Sequence, residues 1–530
     1  MSGRRVLGLY GTLLLAFAVV VCRLYWLCAN TAYAARAEAQ STVSLALPAR
    51  RGGFYDCEGR PLTDLTTTWY TLCFPGGENY ASLYRLAGAA GQVQLYQKRS
   101  TAAPFLLALP QDASALGFAT YAVPQRYAAA PLAAHLLGTL DAEGHGVSGL
   151  EDAFDDILTG SGAHDTVFCA VTARGRLRTG ETPQLVRADS GAVGVQLTLS
   201  RPVQRAVEAV ASQLMKTGCI IVLDTASAAV RACVSVPGFD PANVADSLDA
   251  ADSPLVDRTL NAYAVGSVFK PVLAAAALEA DCAMDYTCPG AIVVGDRIFR
   301  CAGGSAHGEV DLSLALQKSC NGYFVRLGQT LGVESVYAMA ASLGLGQSVN
   351  VADGLTAAAG ALPAPEQLAS AGDYANFCFG QGELLATPVQ VAAMMNAIAA
   401  DGVYRTPFFV QCTLNETTGE VLETLAHSAQ KRVFSKQTAS ALRTLLAGVV
   451  AEGTGREAAA SYGTSAGKTG TAQTGQFSSG VELKNYWFAG FWPAESPRYT
   501  IVVLQDVQTE PTSSSAAVFA AVCDALAILI

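Results

Sequence analysis

Ser267 and Lys270 stand three residues apart in Gly266-Ser267-Val268-Phe269-Lys270, at the head of an apolar stretch that reads as a helix. That spacing puts both side chains on one face of one turn. The pairing can make a nucleophile. A serine hydroxyl attacks poorly until a neighbouring base takes its proton, and a lysine whose pKa is lowered by burial or by cationic neighbours can be that base. Alone the signal is cheap, because Ser428…Lys431 and Ser465…Lys468 satisfy the same S-x-x-K spacing. The bland reading of such a pair is a solvated helical serine and lysine, and it is preferred for 428–431. Order sets the first pair apart. Ser319-Cys320-Asn321 follows 52 residues after Ser267, and Lys468-Thr469-Gly470-Thr471 begins 149 residues after Ser319. A second S-x-N, Ser348-Val349-Asn350, shows that the middle element is also cheap by itself.

The three elements in this order resemble the serine acyl-transferase set of penicillin-binding proteins and β-lactamases. The resemblance implies a task for each. Ser267 is the nucleophile and Lys270 its base; Ser319 relays a proton to the leaving amine; Asn321 holds the substrate amide and Lys270. Lys468 supplies fixed positive charge near a substrate carboxylate, and the Thr469 and Thr471 hydroxyls are donors to it. Gly470 lets an edge strand approach the substrate backbone. Backbone N–H groups of Ser267 and Thr471 form the oxyanion hole.

Along nearly its full length the chain resembles a class B penicillin-binding protein, a monofunctional D,D-transpeptidase of the division, elongation or sporulation type. The carrying residues are Arg51-Gly52 through Asp56 to Gly59, His135-Leu136-Leu137-Gly138 with Gly149-Leu150-Glu151, and Leu197-Thr198-Leu199 with Gln204 and Glu208. Pro237 to Pro241, Gly380-Gln381-Gly382 with Thr387-Pro388-Gln390, Gly453-Thr454-Gly455 and Trp487-Phe488-Ala489-Gly490-Phe491 follow in the expected order. The implied substrates are peptidoglycan stem peptides ending in D-Ala-D-Ala, with β-lactams as trapped mimics. The implied partner is a membrane glycosyltransferase of the SEDS type, and neither a metal nor an organic cofactor is called for. Three positions depart from the pattern: Val265 for the usual proline, Ser200 for the usual aspartate, and Asp257-Arg258 for Asn-Arg. None removes a proton-transfer group, so altered packing is expected rather than a dead site. Cys320 inside the middle motif reads as a small filler in a helix-to-loop turn; a redox switch there would need an exposed, low-pKa thiol.

Other functions fit less well. A class A β-lactamase also needs a glutamate that activates the deacylating water, and no Glu-x-x-Leu-Asn lies between Asn321 and Lys468. A bifunctional synthase needs a glycosyltransferase domain; Glu151-Asp152-Ala153-Phe154 lies too close to Ser267 to belong to one and reads as a solvated helix start. A catalytically silent scaffold or β-lactam sensor, or a D,D-carboxypeptidase, is the remaining alternative.

The elements that must position these groups are mixed α and β, an α+β fold class. From Val195 the pattern runs strand, helix (Val203 to Lys216), then strands Ile220–Asp224 and Val230–Val236. Ala- and Leu-rich helices follow at Pro271–Leu278, Leu312–Gln317, Pro388–Ile398 and Ser435–Val450, alternating with strands such as Trp487–Trp492 and Tyr499–Gln505. The expected architecture is an antiparallel sheet flanked by helices, a serine β-lactamase-like transpeptidase domain over 215–530. Ahead of it come a connection at 186–214 and an elongated non-catalytic pedestal or dimerisation domain at 29–185. Residues 6–28 hold nineteen apolar or aromatic side chains out of 23, enough to cross a bilayer. They read as a retained transmembrane anchor rather than a cleaved signal peptide, although Ala32-Tyr33-Ala34 has the small-x-small form of a cleavage site. Arg4 and Arg5 keep residues 1–5 in the cytoplasm and send the catalytic domain to the extracytoplasmic side.

Of the fourteen cysteines, Cys219 and Cys233 flank an apolar strand and read as core. No CxxC or metal-like repeat is visible, and no metal site is expected. Cys288 and Cys301 bracket a strand or hairpin through Pro289-Gly290 and Gly295-Asp296, where either a disulfide or two free thiols would fit. The 530 residues carry 15% charged side chains and a net charge of −10. That balance excludes a nucleic-acid binder, which needs basic stripes, and 51% apolar residues exclude general disorder.

Overall fold

The computed structural model describes residues 3–529 except 76–79, 102, 129, 173, 190 and 426–429. Ser428 of the discounted S-x-x-K pair lies outside the described residues. The chain divides into two compact units, each discontinuous in sequence.

The first unit comprises Met1–Arg51, Asp64–Arg126 and Gly160–Ala192. It begins with a 27-residue helix, Gly3–Ala29, which has no buried residue and holds an 18-residue window of mean hydropathy 2.1. At 1.5 Å per residue it is about 40 Å long, more than a bilayer core of about 30 Å. The Asn30 side chain caps the next helix, Thr31–Ser41, by accepting from the Ala32 N–H at 3.0 Å. Two three-stranded sheets follow. One orders Thr42–Ala46, Thr166–Ala170 and Gln184–Val186; the other orders Phe105–Leu109, Thr66–Cys73 and Thr120–Gln125. In Phe105–Leu109 alternate residues Phe105, Leu107 and Leu109 are buried, the period of two that a one-sided sheet imposes, and they pack on Leu83 and Leu95.

The second unit comprises Gly52–Thr63, Tyr127–Thr159 and Val193–Ile530. Two stretches that precede residue 185 therefore pack with the C-terminal portion. Phe54–Tyr55 pairs in parallel with Val193–Leu197, and Leu132, Leu136, Leu137, Leu150 and Leu158 enter its core because their apolar faces have no other cover. The helix Gly149–Ala153 in this region is not a solvated helix start: Glu151 is fully buried.

The centre is a five-stranded antiparallel sheet in the order Val230–Val236, Gly218–Asp224, Tyr499–Gln508, Val481–Trp492, Ala466–Ser478. Both faces are covered, and the pleat sorts the side chains. Ile220, Val222, Ile501, Val503 and Phe488 face a core shared with helices Arg201–Leu214 and Ser515–Ala527. Cys219, Ile221, Leu223, Val502, Leu504 and Trp487 face the opposite core with helices Lys270–Glu279, Pro388–Ala399 and Lys436–Ala451. Cys219 and Cys233 are core residues, as their sequence context indicates. Three layers thus bury a strand that reads as a continuous apolar run. The Arg201–Leu214 helix gets no side-chain cap from Ser200, where a carboxylate is usual; the buried Asp56 carboxylate accepts the Arg201 N–H at 2.9 Å instead.

Candidate active site

Ser267 sits in a 3-10 turn, Gly266–Phe269, that runs into the helix Lys270–Glu279 with Pro271 in its first turn. In a 3-10 turn residues three apart eclipse, so Ser267 and Lys270 stack on one side. The turn is held at its N-terminal end. Gly266 donates its N–H to Gly380 O at 2.7 Å, and Ala264 O accepts from the Trp487 indole at 2.9 Å and from Asn485 at 3.5 Å. Ser267 keeps partial exposure, whereas Lys270 through Ala277 are buried. A helix apolar on all sides is a core helix, so Lys270 enters the interior at its first residue.

The Lys270 ammonium makes three hydrogen bonds: to Ser319 O at 2.8 Å, Ser319 Oγ at 3.0 Å and Asn321 Oδ1 at 2.7 Å. The Phe324 ring centroid lies 5.5 Å from Nζ. Burial lowers the Lys270 pKa from 10.5 to about 7, against smaller opposing influences from Cys320 and Cys301. Ser319 lies between helix Leu312–Gln317 and helix Asn321–Leu331, in left-handed backbone with φ of 53°. That strained corner turns both Ser319 oxygens and Asn321 toward one amine. Cys320 is the N-cap of the second helix, its sulfur accepting from the Tyr323 N–H at 3.5 Å, and it is fully buried. Asn321 Nδ2 donates to Arg300 O at 2.8 Å, which fixes the amide orientation.

Lys468, Thr469, Gly470 and Thr471 lie on the outer strand Ala466–Ser478, paired on one side only, to Val481–Trp492. Lys468 is fully buried, and Nζ donates to Thr469 O at 3.1 Å and Thr469 Oγ1 at 3.4 Å. Burial, and next the Lys270 charge, push its pKa down. Gly470 lies against the turn that carries Ser267. A Cβ there would lie 2.9 Å from Val268 Cγ1 and 3.2 Å from Val265 O and Val268 N. Gly266, at φ of +66°, is equally tight, its Cβ position being 2.8 Å from Thr471 O. Thr471 is exposed, and its carbonyl accepts from Gln381 Nε2 at 3.3 Å.

Two further residues belong to the cluster without having been assigned a task from sequence. Thr454 bonds Thr469 Oγ1 through its hydroxyl at 2.9 Å and donates its N–H to Gln317 O at 3.0 Å, tying the K-T-G strand to the helix that precedes Ser319. Gln381 ties the same strand to the Gly380 turn. Both stand in glycine-flanked strings, which was the available signal. The rival pairs fall elsewhere. Ser465 is buried with its hydroxyl accepting from the Ala460 N–H at 3.2 Å, and Asn350 is exposed on the hairpin strand Val349–Ala352. Another K-T-G string, Lys216-Thr217-Gly218, leads into the interior strand Gly218–Asp224 with Lys216 exposed.

The Cys288–Cys301 disulfide is absent. The hairpin between them forms, Ala291–Val294 with Arg297–Arg300, yet both thiols are free and their sulfurs stand 3.7 Å apart. A third thiol, Cys320, and the His307 imidazole lie beside them, all four ligand atoms within 4.8 Å of one another.

Residues 218–524 match the penicillin binding protein transpeptidase domain family. The chain is 33% identical over 423 residues to the penicillin-binding protein PbpB of Mycolicibacterium smegmatis, covering 74% of this chain but 63% of that relative, less than two thirds of its length. Penicillin binding protein 3 from Mycobacterium tuberculosis, solved in complex with aztreonam, superposes with a TM-score of 0.67 at 26% identity, over 92% of this chain and 97% of that one. A chain from a peptidoglycan synthase complex, described for its coordination of polymerization and crosslinking, shares the fold at a TM-score of 0.71 and 23% identity, over 99% of this chain and 98% of that one. With the three motifs converging on one cluster at the edge of the sheet, the chain belongs to the penicillin-binding protein transpeptidase family, as a class B penicillin-binding protein.

Proposed function

We propose that this protein is a peptidoglycan D,D-transpeptidase that cross-links stem peptides through an acyl-enzyme on Ser267. The observation that carries the reading is the Lys270 amine, fully buried and bonded to Ser319 and Asn321, with a pKa of about 7. An ammonium has no lone pair, so only the neutral amine accepts the Ser267 proton, and near neutral pH that form is populated. Ser267 Oγ attacks the carbonyl between the two terminal D-alanines and its proton passes to Lys270. The C–N bond breaks, and the proton travels through Ser319 to the departing D-Ala amine. An acceptor amine then attacks the ester, forms the new amide and returns a proton to Ser267.

The proposed oxyanion hole is the N–H pair of Ser267 and Thr471. The Thr471 carbonyl faces the free edge of its strand, and in an extended strand the N–H of the same residue shares that side. Lys468 stands beside the substrate carboxylate, whose negative charge favours the protonated amine against the burial that lowers its pKa, with Thr469 and Thr471 as hydroxyl donors. β-Lactams acylate the same serine, as the aztreonam complex of the mycobacterial relative suggests.

The transpeptidase domain is taken as 215–530 and the pedestal as 29–185, joined by 186–214, with segments 52–63 and 127–159 of the pedestal packed into the compact unit that holds the transpeptidase domain. Residues 6–28 of the helix Gly3–Ala29 anchor the protein in the membrane, with residues 1–5 cytoplasmic and the catalytic domain outside. A SEDS-type glycosyltransferase is the proposed partner, in line with the synthase-complex chain that shares this fold. A fluorescent penicillin gel on the full chain in detergent tests the reading. One covalent adduct, lost in Ser267→Ala, is expected; no adduct, or one that persists in the variant, overturns it. An adduct that decays in seconds to minutes identifies a hydrolase. A D-Ala-D-Ala stem peptide offered with an acceptor amine then separates cross-linking from carboxypeptidase action.

A further inference from the structure

Behind the Ser319–Asn321 corner, four ligating side chains converge from three separate elements. Cys288 ends the strand Tyr286–Cys288, which pairs with Gly308–Val310 so that Cys288 opposes Gly308. Cys301 follows the hairpin strand Arg297–Arg300, His307 stands just before Gly308, and Cys320 caps the helix Asn321–Leu331. Their ligand atoms all lie within 4.8 Å of one another. Cys288, Cys301 and Cys320 are 1%, 3% and 0% exposed, and His307 is half-buried. Three buried thiols around one imidazole, with no carboxylate in the set, form a soft donor group of the kind that selects zinc.

The distances discriminate between the arrangements available to such a cluster. A disulfide needs sulfurs about 2.05 Å apart. Tetrahedral zinc with Zn–S of about 2.3 Å and Zn–N of about 2.0 Å requires edges of about 3.8 Å between sulfurs and about 3.5 Å from sulfur to nitrogen. Three of the six separations match these edges, 3.7 Å for Cys288 and Cys301, 3.9 Å for Cys301 and Cys320, and 3.5 Å for Cys288 Sγ and His307 Nδ1, and the other three are within 4.8 Å.

We propose that Cys288, Cys301, His307 and Cys320 bind one zinc ion as a closed structural Cys3His site that fixes the Ser319-Cys320-Asn321 corner. Binding displaces the three thiol protons to solvent and uses the neutral imidazole through Nδ1, so the occupied site carries one net negative charge. All four positions are filled by protein, which leaves no open position for water or substrate and marks the site as structural rather than catalytic. Its reach into the active site is direct. Cys320 is flanked by the two residues that hold Lys270, and Arg300, beside Cys301, accepts from Asn321.

The test is metal analysis of the full chain in detergent, purified without chelator and without a metal-affinity step. One equivalent of zinc per chain is expected, with an X-ray absorption spectrum of three sulfurs at about 2.3 Å and one nitrogen at about 2.0 Å. Cobalt exchanged into the wild-type protein is expected to give tetrahedral visible bands and sulfur-to-cobalt charge transfer. His307→Ala and Cys288→Ser each lose zinc affinity by more than the roughly 10–100-fold caused by disturbing a group behind a ligand. The wild-type spectra stand independently of whether those variants fold. A folded wild-type chain with well under one equivalent of zinc, iron in its place, or a disulfide among Cys288, Cys301 and Cys320 in the mass map overturns the proposal. None of these readouts depends on penicillin acylation.

Discussion

Lys270 brings its amine into a site where every hydrogen-bond partner is neutral: a carbonyl, a hydroxyl and an amide oxygen. Desolvation therefore outweighs stabilisation of the charge, and the second buried lysine, Lys468, feels the Lys270 charge as a further downward push. The sign for catalysis follows. Below about pH 7 Lys270 is protonated and cannot take the Ser267 proton; above it the amine is free. The second-order rate of penicillin acylation is expected to rise with pH through an apparent pKa near 7, measured by stopped-flow with a reporter β-lactam. Lys270→Met is expected to flatten that limb and to cost about 10²–10⁴ in rate, the usual worth of a positioned base. A limb near 10 in the wild type would show that the amine is not desolvated in this way. At this scale the grouping was legible in the sequence: Lys270 meets Ser319 and Asn321, and the strand of Gly470 lies on the turn that carries Ser267. The burial of both lysines was not, because nothing in the local sequence says which face of a turn will be covered.

The elements around the site depend on close backbone approach. Ala466–Ser478 is the last strand of the sheet, and its free side receives the nucleophile turn at Gly470. Gly470→Ala adds a Cβ 2.9 Å from Val268 Cγ1 and 3.2 Å from two backbone atoms, too near for a strand that is already paired on its other side. The expected result is a loss of about 1–3 kcal/mol in stability from overpacking. A larger fractional loss of acylation should accompany it, because the turn moves relative to Lys468; parallel denaturant and acylation assays measure both. Unchanged acylation would mean that the turn and strand need not be so close. Element boundaries were mostly readable, since Leu312–Gln317 and Val230–Val236 begin and end where the sequence pattern suggests. The exception is Val481–Trp492, which starts six residues before the expected Trp487. Residues 481–486 mix Val481, Leu483 and Tyr486 with Glu482, Lys484 and Asn485 and pair with 471–478, so cross-strand pairing rather than apolar content makes them a strand.

Over the Ser267-bearing unit as a whole, Arg258, the residue of the Asp257-Arg258 pair that keeps to the family pattern, acquires a structural meaning. Arg258 is 5% exposed, its Nε is 3.1 Å from Asp506 Oδ2, and its remaining donors reach Ser253 O at 3.2 Å and Asp252 O at 2.8 Å. It pins the segment before the nucleophile turn to the strand Tyr499–Gln508. Breaking one partner of a buried pair leaves the other charge uncompensated, so Arg258→Ala is expected to cost about 3–5 kcal/mol. Urea unfolding of the catalytic unit within the full chain measures this, and a change below about 1 kcal/mol, the size of an exposed pair, would contradict the burial. The discontinuity of the two units belongs to the same scale. Segments 52–63 and 127–159 contribute to the C-terminal unit a parallel strand pairing, the Asp56 helix cap and five core leucines, which no linear boundary near 185 expresses.

The sequence by itself determined the family, the order of the catalytic groups, the membrane-length helix and most of the regular elements. Each of these is carried by local spacing, residue type or apolar periodicity, which survive in one dimension. Tertiary structure alone decided what those groups touch. It brought Lys270 to Ser319 and Asn321, seated Gly470 on the nucleophile turn and kept Cys288 and Cys301 apart as thiols. It also gathered them with His307 and Cys320 across the string Cys288-x12-Cys301-x5-His307-x12-Cys320, whose gaps match no short metal motif. The reason is that a hairpin, a strand pair and a helix N-terminus each contribute one or two ligands, and their meeting point exists only once all three are packed.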